Sequence, residues 1–597
     1  MSKYILVVFI FIQTTLSLRA QSFDIDKSLK GFDAYVQTIM KDWNAPGIAV
    51  GIVVKDKLVF AKGYGYRDLE NKLPVTPQTL FPIASNTKLF TAVAAGFLVE
   101  DGKLAWDQPI KKYDASIEFY NQDLNEGVTL RDMLSHRTGI SRHDGIWYKS
   151  TFTRKEMFYR IKFLEPSQPL RQGFLYNNLM YMGVGAAMEH ITGKTWEDYV
   201  REKLFKPLVM SNSTFTIGEM EKRPDFAFPY YEERDTTVLK KYPFYRQMDG
   251  VGPCGSIISN VEEISHWLIA LMNKGKYGNQ QVIPESILAA TLQPAMAVPN
   301  INLETKGYTE LFNSVYGMGR YFSAYKGHYL TYHGGAIGGF YSQVSTMLYD
   351  GIGVIVLVNG AHTSPMIEIV SRNIYDRLLN VPRTPWHERL YKDYLAGKKA
   401  SKESREKVSS TKVADTRPSH VLEDYSGEFE NAAYGIVGIR VKENGLQYSF
   451  NGDEQPLIHY HYDRFDTPDD VLIGKTSVNF STNPQGEIDK LLISMDEAEV
   501  AFNRKPDAAL TDPAILLTYT GKYETPSGGA VEIRLPDSKT LFLVYPGQPQ
   551  YELIPYKPRT FKMKQFSDTI IQFIVEDNRI TGYRNIDPAG ELFIRRK

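Results

Sequence analysis

The chain has 597 residues, 43% of them hydrophobic, and 69 Lys and Arg balance 69 Asp and Glu. This is ordinary globular material, long enough for several cores, and its charge balance excludes a global field that would favour nucleic acid or an anionic membrane. Cys254 is the only cysteine, which excludes an intramolecular disulfide and a second thiol ligand for zinc, so stability must come from packed cores.

Lys3, an apolar run from Tyr4 to Ile12 and the small residue Ala20 before Gln21 read as a secretory signal over residues 1–20, too short and wrongly flanked for a stable membrane span. No cysteine follows closely to accept a lipid, so the mature protein is expected in the periplasm or outside the cell, with no membrane span. Leu29 to Trp43 fits a helix ended by Ala45-Pro46-Gly47, and Ile48 to Val54 with Leu58 to Ala61 fits a hairpin around Lys55-Asp56-Lys57. Thr87 to Leu98 is an alanine- and leucine-rich helix suited to burial.

Leu130 to His136, Tyr181 to His190 and Trp196 to Leu204 read as further helices, the second stopped at Thr192-Gly193. Ser259-Asn260-Val261-Glu262-Glu263 opens another with a cap and acidic first turn. Strands then follow at Tyr329 to Thr331, Phe340 to Tyr349 and Gly353 to Asn359, closed by a helix from Ser364 to Leu379. Helices outside an antiparallel sheet predict an α+β sandwich over residues 21–395.

At 396–417 Lys, Ser and Glu dominate, which predicts a linker or exposed connecting segment. Beyond it the chain is strand-rich. Tyr425-Ser426-Gly427-Glu428-Phe429 and Tyr519-Thr520-Gly521-Lys522-Tyr523 open two runs of hairpins about ninety residues apart, so 418–507 and 508–597 form two small β domains or two halves of one barrel.

Chemistry concentrates in three places. Ser85-Asn86-Thr87-Lys88 sets a hydroxyl and an amine three residues apart; on a helix they share a face, so the lysine nitrogen can accept the serine proton. In Tyr176-Asn177-Asn178, a phenol can relay a proton to a leaving group and the Asn178 amide can hold the lysine or a substrate carbonyl. In His333-Gly334-Gly335-Ala336, glycines let a strand edge approach substrate, and the Ala336 N–H can join that of Ser85 as an oxyanion hole.

These motifs resemble, in order, the Ser-x-x-Lys, Tyr-x-Asn and His-x-Gly motifs of the serine β-lactamase and penicillin-binding-protein-like superfamily, and residues 30 to 375 are similar to its class C β-lactamase-related hydrolases. Leu134-Ser135-His136-Arg137-Thr138-Gly139 and Pro207-Leu208-Val209-Met210 match its habits too. The resemblance implies catalytic Ser85, Lys88, Tyr176 and His333, substrate-binding Asn178, Gly334, Gly335 and Ala336, no metal or organic cofactor, and a small peptide, amide or ester substrate. It also implies lipocalin-like barrels as C-terminal accessory domains, expected to serve a homo-oligomer or to roof the cleft.

His333 and Gly334 stand where the lactamase motif has Lys-Thr, which removes a permanent cation and a hydroxyl that would bind an antibiotic carboxylate. A peptidase, D-amino-acid amidase or esterase is therefore expected, the alternatives being a slowly turning-over penicillin-binding or sensor protein, or a true β-lactamase. Ser141 to Phe152 and Pro229 to Met248 are candidate specificity loops. His136 reads as structural, Cys254 as a small buried residue at a turn, and His459, His461 and Asp463 as a hydrogen-bonded aromatic patch in preference to a metal site, with Asp463 and Arg464 paired or touching the other domain.

Overall fold

The computed structural model describes residues 24–597 apart from 248–249, 300–305, 411, 472–473, 496–497, 507 and 578; the secretory signal expected at 1–20 lies outside the described residues. A nine-stranded antiparallel sheet organises the first part. Its order is Met296–Ala297, Leu311–Tyr316, Tyr321–Tyr325, His328–Ile337, Phe340–Met347, Ile352–Val358, Gly47–Val54, Lys57–Asp68 and Leu73–Pro74. The chain's first hairpin thus completes a sheet begun some three hundred residues later in the sequence, with Ile48 paired to Val358.

Both faces of this sheet are covered. Side chains alternate along a strand: Val354, Val356 and Val358 join one core with the helices Phe32–Asp42 and Met366–Leu378, while Ile355 and Leu357 join a second, larger core containing the helices Thr87–Glu100, Asn178–Thr192 and Val261–Met272. Central strands buried on both faces read as continuous apolar runs, which is why Gly47–Val54 and Ile352–Val358 stand out in the sequence. Leu311–Tyr316 and Tyr321–Tyr325 did not stand out, because Gly317 and Gly319 interrupt a tyrosine-rich stretch with little alternation.

Two predicted helices differ in detail. The Asn178–Thr192 helix starts earlier than Tyr181, because Asn177 caps it by accepting from the Met180 N–H. The Trp196–Val200 helix continues as a π-helical turn over Arg201–Phe205. Residues 396–410, expected as a linker or exposed connecting segment, are the exposed end of a 25-residue helix, Trp386–Ser410. Its first turns pack Trp386, Leu390, Tyr391 and Tyr394 on the sheet, and its exposed part runs beside the 229–241 hairpin, with Lys398 Nζ 2.6 Å from Glu232 and Arg405 3.0 Å from Asp235. Lys, Glu, Ala and Arg are good helix formers, so the composition that signals exposure is equally compatible with helix.

Two closed eight-stranded antiparallel barrels follow, not two halves of one. Phe429 pairs with Arg504 to close the first and Tyr523 with Arg596 to close the second. Both are filled with side chains, including Val437, Ile439, Phe480 and Phe502 in one and Val531, Ile533, Ile571 and Phe573 in the other. The repeated Tyr-x-Gly sequence has a repeated job: Arg504 donates to Ser426 O (2.5 Å) and Arg596 to Thr520 O (2.7 Å), each beside a glycine with a positive φ, Gly427 and Gly521. In both barrels an arginine from the last strand thus ties off the entry to the first.

Asp463 and Arg464 do not pair. Asp463 accepts from the Ser419 N–H (2.9 Å) and from the Tyr425 hydroxyl, and Arg464 pairs with Asp466 at 2.9 Å. A bulge between His459 and His461 breaks the regular strand spacing, and each ring bonds to backbone, His459 to Tyr462 O and His461 to the Val413 N–H. Among the described residues no group of three or more His, Cys, Asp or Glu is placed to hold a metal, and no helix is long and apolar enough to cross a membrane.

Candidate active site

Ser85 sits in a 3-10 turn, Ala84–Asn86, at the mouth of the Thr87–Glu100 helix. Ala84 has a φ of 46°, a left-handed conformation unfavourable for a residue with a Cβ and persistent only where the surroundings enforce it. Ser342 Oγ holds the turn by donating to Ile83 O at 2.7 Å and accepting from Asn86 Nδ2 at 2.8 Å. Ser85 is the only residue between 81 and 96 that is not buried, so the turn delivers one hydroxyl from the core to a cleft.

Lys88 lies one turn on and is fully buried. Its Nζ is 3.0 Å from Ser85 Oγ, 2.8 Å from Asn178 Oδ1 and 2.9 Å from Cys254 O. Burial, with the Arg142 charge as a smaller contribution, lowers its pKa to about 8 against the partial support of Cys254 and Asp144. The two carbonyl oxygens can only accept. When Lys88 gives up a proton, its remaining hydrogens stay on them and its lone pair points to Ser85 Oγ.

The amide of Asn178 is held in the orientation this requires. Its Nδ2 donates to Asp144 Oδ1 at 3.0 Å, and the same carboxylate accepts from Trp147 Nε1 at 2.6 Å and from Arg142 Nε. Asp144 is a site residue that sequence reasoning missed, although it lies within the predicted loop Ser141 to Phe152. Cys254 contributes through its backbone oxygen, which no side-chain pattern can reveal; burial pushes its thiol up to about 11, so it stays protonated.

Tyr176 donates to Ser85 Oγ at 2.9 Å. Burial holds its phenol well above the ordinary value despite that bond, so it is a proton donor in the resting site. Its ring rests on the His136 ring at a centroid distance of 4.2 Å, and Arg142 covers it at 5.3 Å. Hydrogen bonds lace the 170–177 segment to 136–141: Leu175 N–H to His136 O (2.9 Å), Asn177 N–H to His136 Nδ1 (3.0 Å) and Asn177 Nδ2 to Ser141 O (2.6 Å). His136 is therefore structural, a fully buried acceptor behind Tyr176.

Beneath it, Asp132 accepts from Arg137 (2.6 Å) and Arg171 (2.7 Å). Burial would raise its carboxyl, but hydrogen bonds from Arg171 and Thr129 and the Arg137 charge hold it below the usual range.

The His328–Ile337 strand pairs with its Tyr321–Tyr325 neighbour only as far as Tyr332, and the edge beyond faces the Ser85 turn. There Gly335 abuts backbone, since a Cβ would overlap the Ile83 carbonyl oxygen and Ser342 Oγ. Gly334 lies between His333 and Gly335, and Ala336 is the strand's one exposed residue. We expect Gly335→Ala to lower stability by about 1–3 kcal/mol, as overpacking does, and to displace the turn that carries Ser85; denaturant unfolding together with activity checks this.

His333 is drawn into the aromatic wall. Its Nδ1 lies 2.6 Å from Gly334 O and its Nε2 3.0 Å from the Tyr316 hydroxyl, so Nδ1 carries the hydrogen and Nε2 accepts from the tyrosine. Burial and the Lys88 charge bring its pKa to about 3. The structure thus brings Ser85, Lys88, Tyr176 and Asn178 into one hydrogen-bonded group, with His333 neutral behind it, its ring centroid 6.2 Å from that of Tyr176.

Comparison with known proteins agrees with this architecture. A family model described as Beta-lactamase matches residues 32–376, and one described as Domain of unknown function (DUF3471) matches 411–506. Among curated relatives, Unguisins hydrolase ungD' of Aspergillus campestris is 25% identical over 442 residues, covering 71% of this chain and 80% of that protein. Protein flp of Staphylococcus aureus is 24% identical over 337 residues, covering 56% and 63%. The octameric penicillin-binding protein homologue from Pyrococcus abyssi is 19% identical, with a TM-score of 0.53 over 87% of this chain and 99% of that one, a likeness of fold.

Proposed function

Because the chain belongs to the beta-lactamase family, we propose that it is an exported serine hydrolase that cleaves an amide or ester through an acyl-enzyme on Ser85. One observation carries the reading: Ser85 Oγ lies 3.0 Å from a buried lysine with a pKa of about 8 and 2.9 Å from a protonated phenol. A hydroxyl so placed has a proton acceptor on one side and a proton donor on the other.

In this reading Lys88 takes the Ser85 proton as Oγ attacks the carbonyl carbon, and the Ser85 and Ala336 N–H groups receive the developing oxyanion. Tyr176 passes a proton to the leaving amine or alcohol and is restored by the proton that Lys88 took from Ser85. Water, activated by the same pair, then attacks the ester carbonyl and returns the proton to Ser85. Asn178 orients Lys88, Gly334 and Gly335 let the strand edge lie along the substrate, and His333 serves as a neutral wall.

A neutral His333 offers no cation to a β-lactam carboxylate. This supports a peptide, D-amino-acid amide or ester as substrate over an antibiotic. The test is a panel of L- and D-aminoacyl amides, short peptides, simple esters and a β-lactam, with products followed by mass. Turnover of amides or esters with little or no lactam hydrolysis is the expected result; a persistent acyl adduct without product release would favour a penicillin-binding role.

A further inference from the structure

The loop that carries Asp144 packs on Tyr245 of its own domain through Trp147 and Tyr148 and is fastened on its other side to the first barrel. Asn451 and Gly452, with φ of 49° and 73°, form the two-residue turn between the strands Gly445–Phe450 and Asp453–His461, an Asn-Gly pair that suits a tight hairpin. The Asn451 side chain is not spent on its own turn. Its Nδ2 donates across the domain boundary to Gly145 O (2.9 Å) and Tyr148 O (3.1 Å).

Tyr434, at the far end of the Gly427–Asn431 hairpin, brings its hydroxyl 2.8 Å from His143 Nδ1. His143 itself has a φ of 49°, a conformation that must be enforced from outside. Gly145 lies flat against the same barrel, where a Cβ would stand 3.1 Å from the Tyr434 ring and 3.2 Å from Met495 Sδ. Lys149 reaches Asp453 at 3.2 Å. Residues on both sides of Asp144 are thus fastened to the barrel, and Asp144 fixes the Asn178 amide that orients Lys88.

We infer that the first barrel is a working part of the hydrolase site, with Asn451 and Tyr434 as positioning residues that hold the 143–148 loop, and through Asp144 and Asn178 the Lys88 amine, in reacting geometry. This rests on the serine hydrolase reading. Small misplacements of a reacting group cost up to about a hundredfold in rate. In Asn451→Gly the turn keeps its left-handed backbone without strain, and Tyr434→Phe keeps its ring, so each variant removes one strap of the clamp while leaving the barrel intact.

The experiment uses the full chain and two readouts. With a fluorophosphonate probe, whose phosphorus Ser85 Oγ attacks with loss of fluoride, each variant should label the same final fraction of Ser85 as wild type but roughly tenfold more slowly or worse, with kcat on an ester lowered alike and KM within about twofold. Amide exchange followed by mass spectrometry should show lost protection in 143–148, a readout that needs no catalysis. Wild-type labelling rates in both variants, or unchanged protection of the loop, would overturn the inference. If wild type itself forms no Ser85 adduct, the hydrolase reading fails first and the catalytic half of this inference falls with it, whereas the exchange result still decides whether the clamp exists.

Discussion

Ser85→Ala should yield a folded protein that forms no acyl adduct and turns over amides and esters more slowly by a factor on the order of 10⁴ to 10⁶, the range seen when a serine nucleophile is removed. The substitution deletes one oxygen, which accepts from Lys88 and Tyr176. The Ala84–Asn86 turn does not depend on that oxygen, since Ser342 and Asn86 hold it through Ile83 O and the Asn86 amide. An unchanged melting temperature with lost turnover, measured side by side, is therefore the expected pair of results. Residual adduct formation at another residue would move the nucleophile elsewhere and refute the assignment.

Replacing Lys88 with methionine should lower kcat/KM by about 10² to 10⁴, the usual worth of a positioned proton acceptor, and should also change the shape of the pH profile. In the proposed mechanism the reactive form is neutral Lys88, whose pKa is depressed to about 8 by burial. The rate should therefore rise about tenfold per pH unit below that value and level off above it. At pH 7.5 the depression increases the neutral fraction on the order of a hundredfold over an ordinary lysine. The methionine variant should lose this limb.

No inflection should appear between pH 5 and 8 from His333, which is already neutral there, and the raised Tyr176 phenol keeps any alkaline limb far from neutrality. A profile governed by a group near pH 6.5 would point to a histidine and against Lys88. Initial rates of ester hydrolysis across pH 5 to 10, at substrate well below KM, make the measurement.

Much of this site is legible in the linear chain because it is local. Ser85 and Lys88 are three residues apart, and helix geometry alone aligns them; Tyr176 and Asn178 straddle the cap of one helix, and the glycines after His333 announce a strand edge that must be approached. The alternation in Val437–Ile439 or Val531–Ile533 likewise announces sheet, whereas closure into two separate barrels is decided by the long-range pairs Phe429–Arg504 and Tyr523–Arg596. Where local preference was ambiguous the reading was poorer. Residues 396–410 are polar enough for a linker and equally good helix formers, and it is the packing of Trp386 and Tyr394 on the sheet that decides for helix.

By itself, then, the sequence determined which side chains are candidates for the chemistry, their order, and the alternation that makes sheet. Tertiary structure alone decided how those groups behave. Lys88 has its low pKa only because helices and sheet close over it, His333 is neutral only because an aromatic wall buries it against Tyr316, and Asp144 gains its role from Asn178, 34 residues away. Asn451 reaches the same loop from 306 residues beyond Gly145. Proton affinity and orientation are properties of surroundings, and those surroundings are assembled from segments that no local pattern connects.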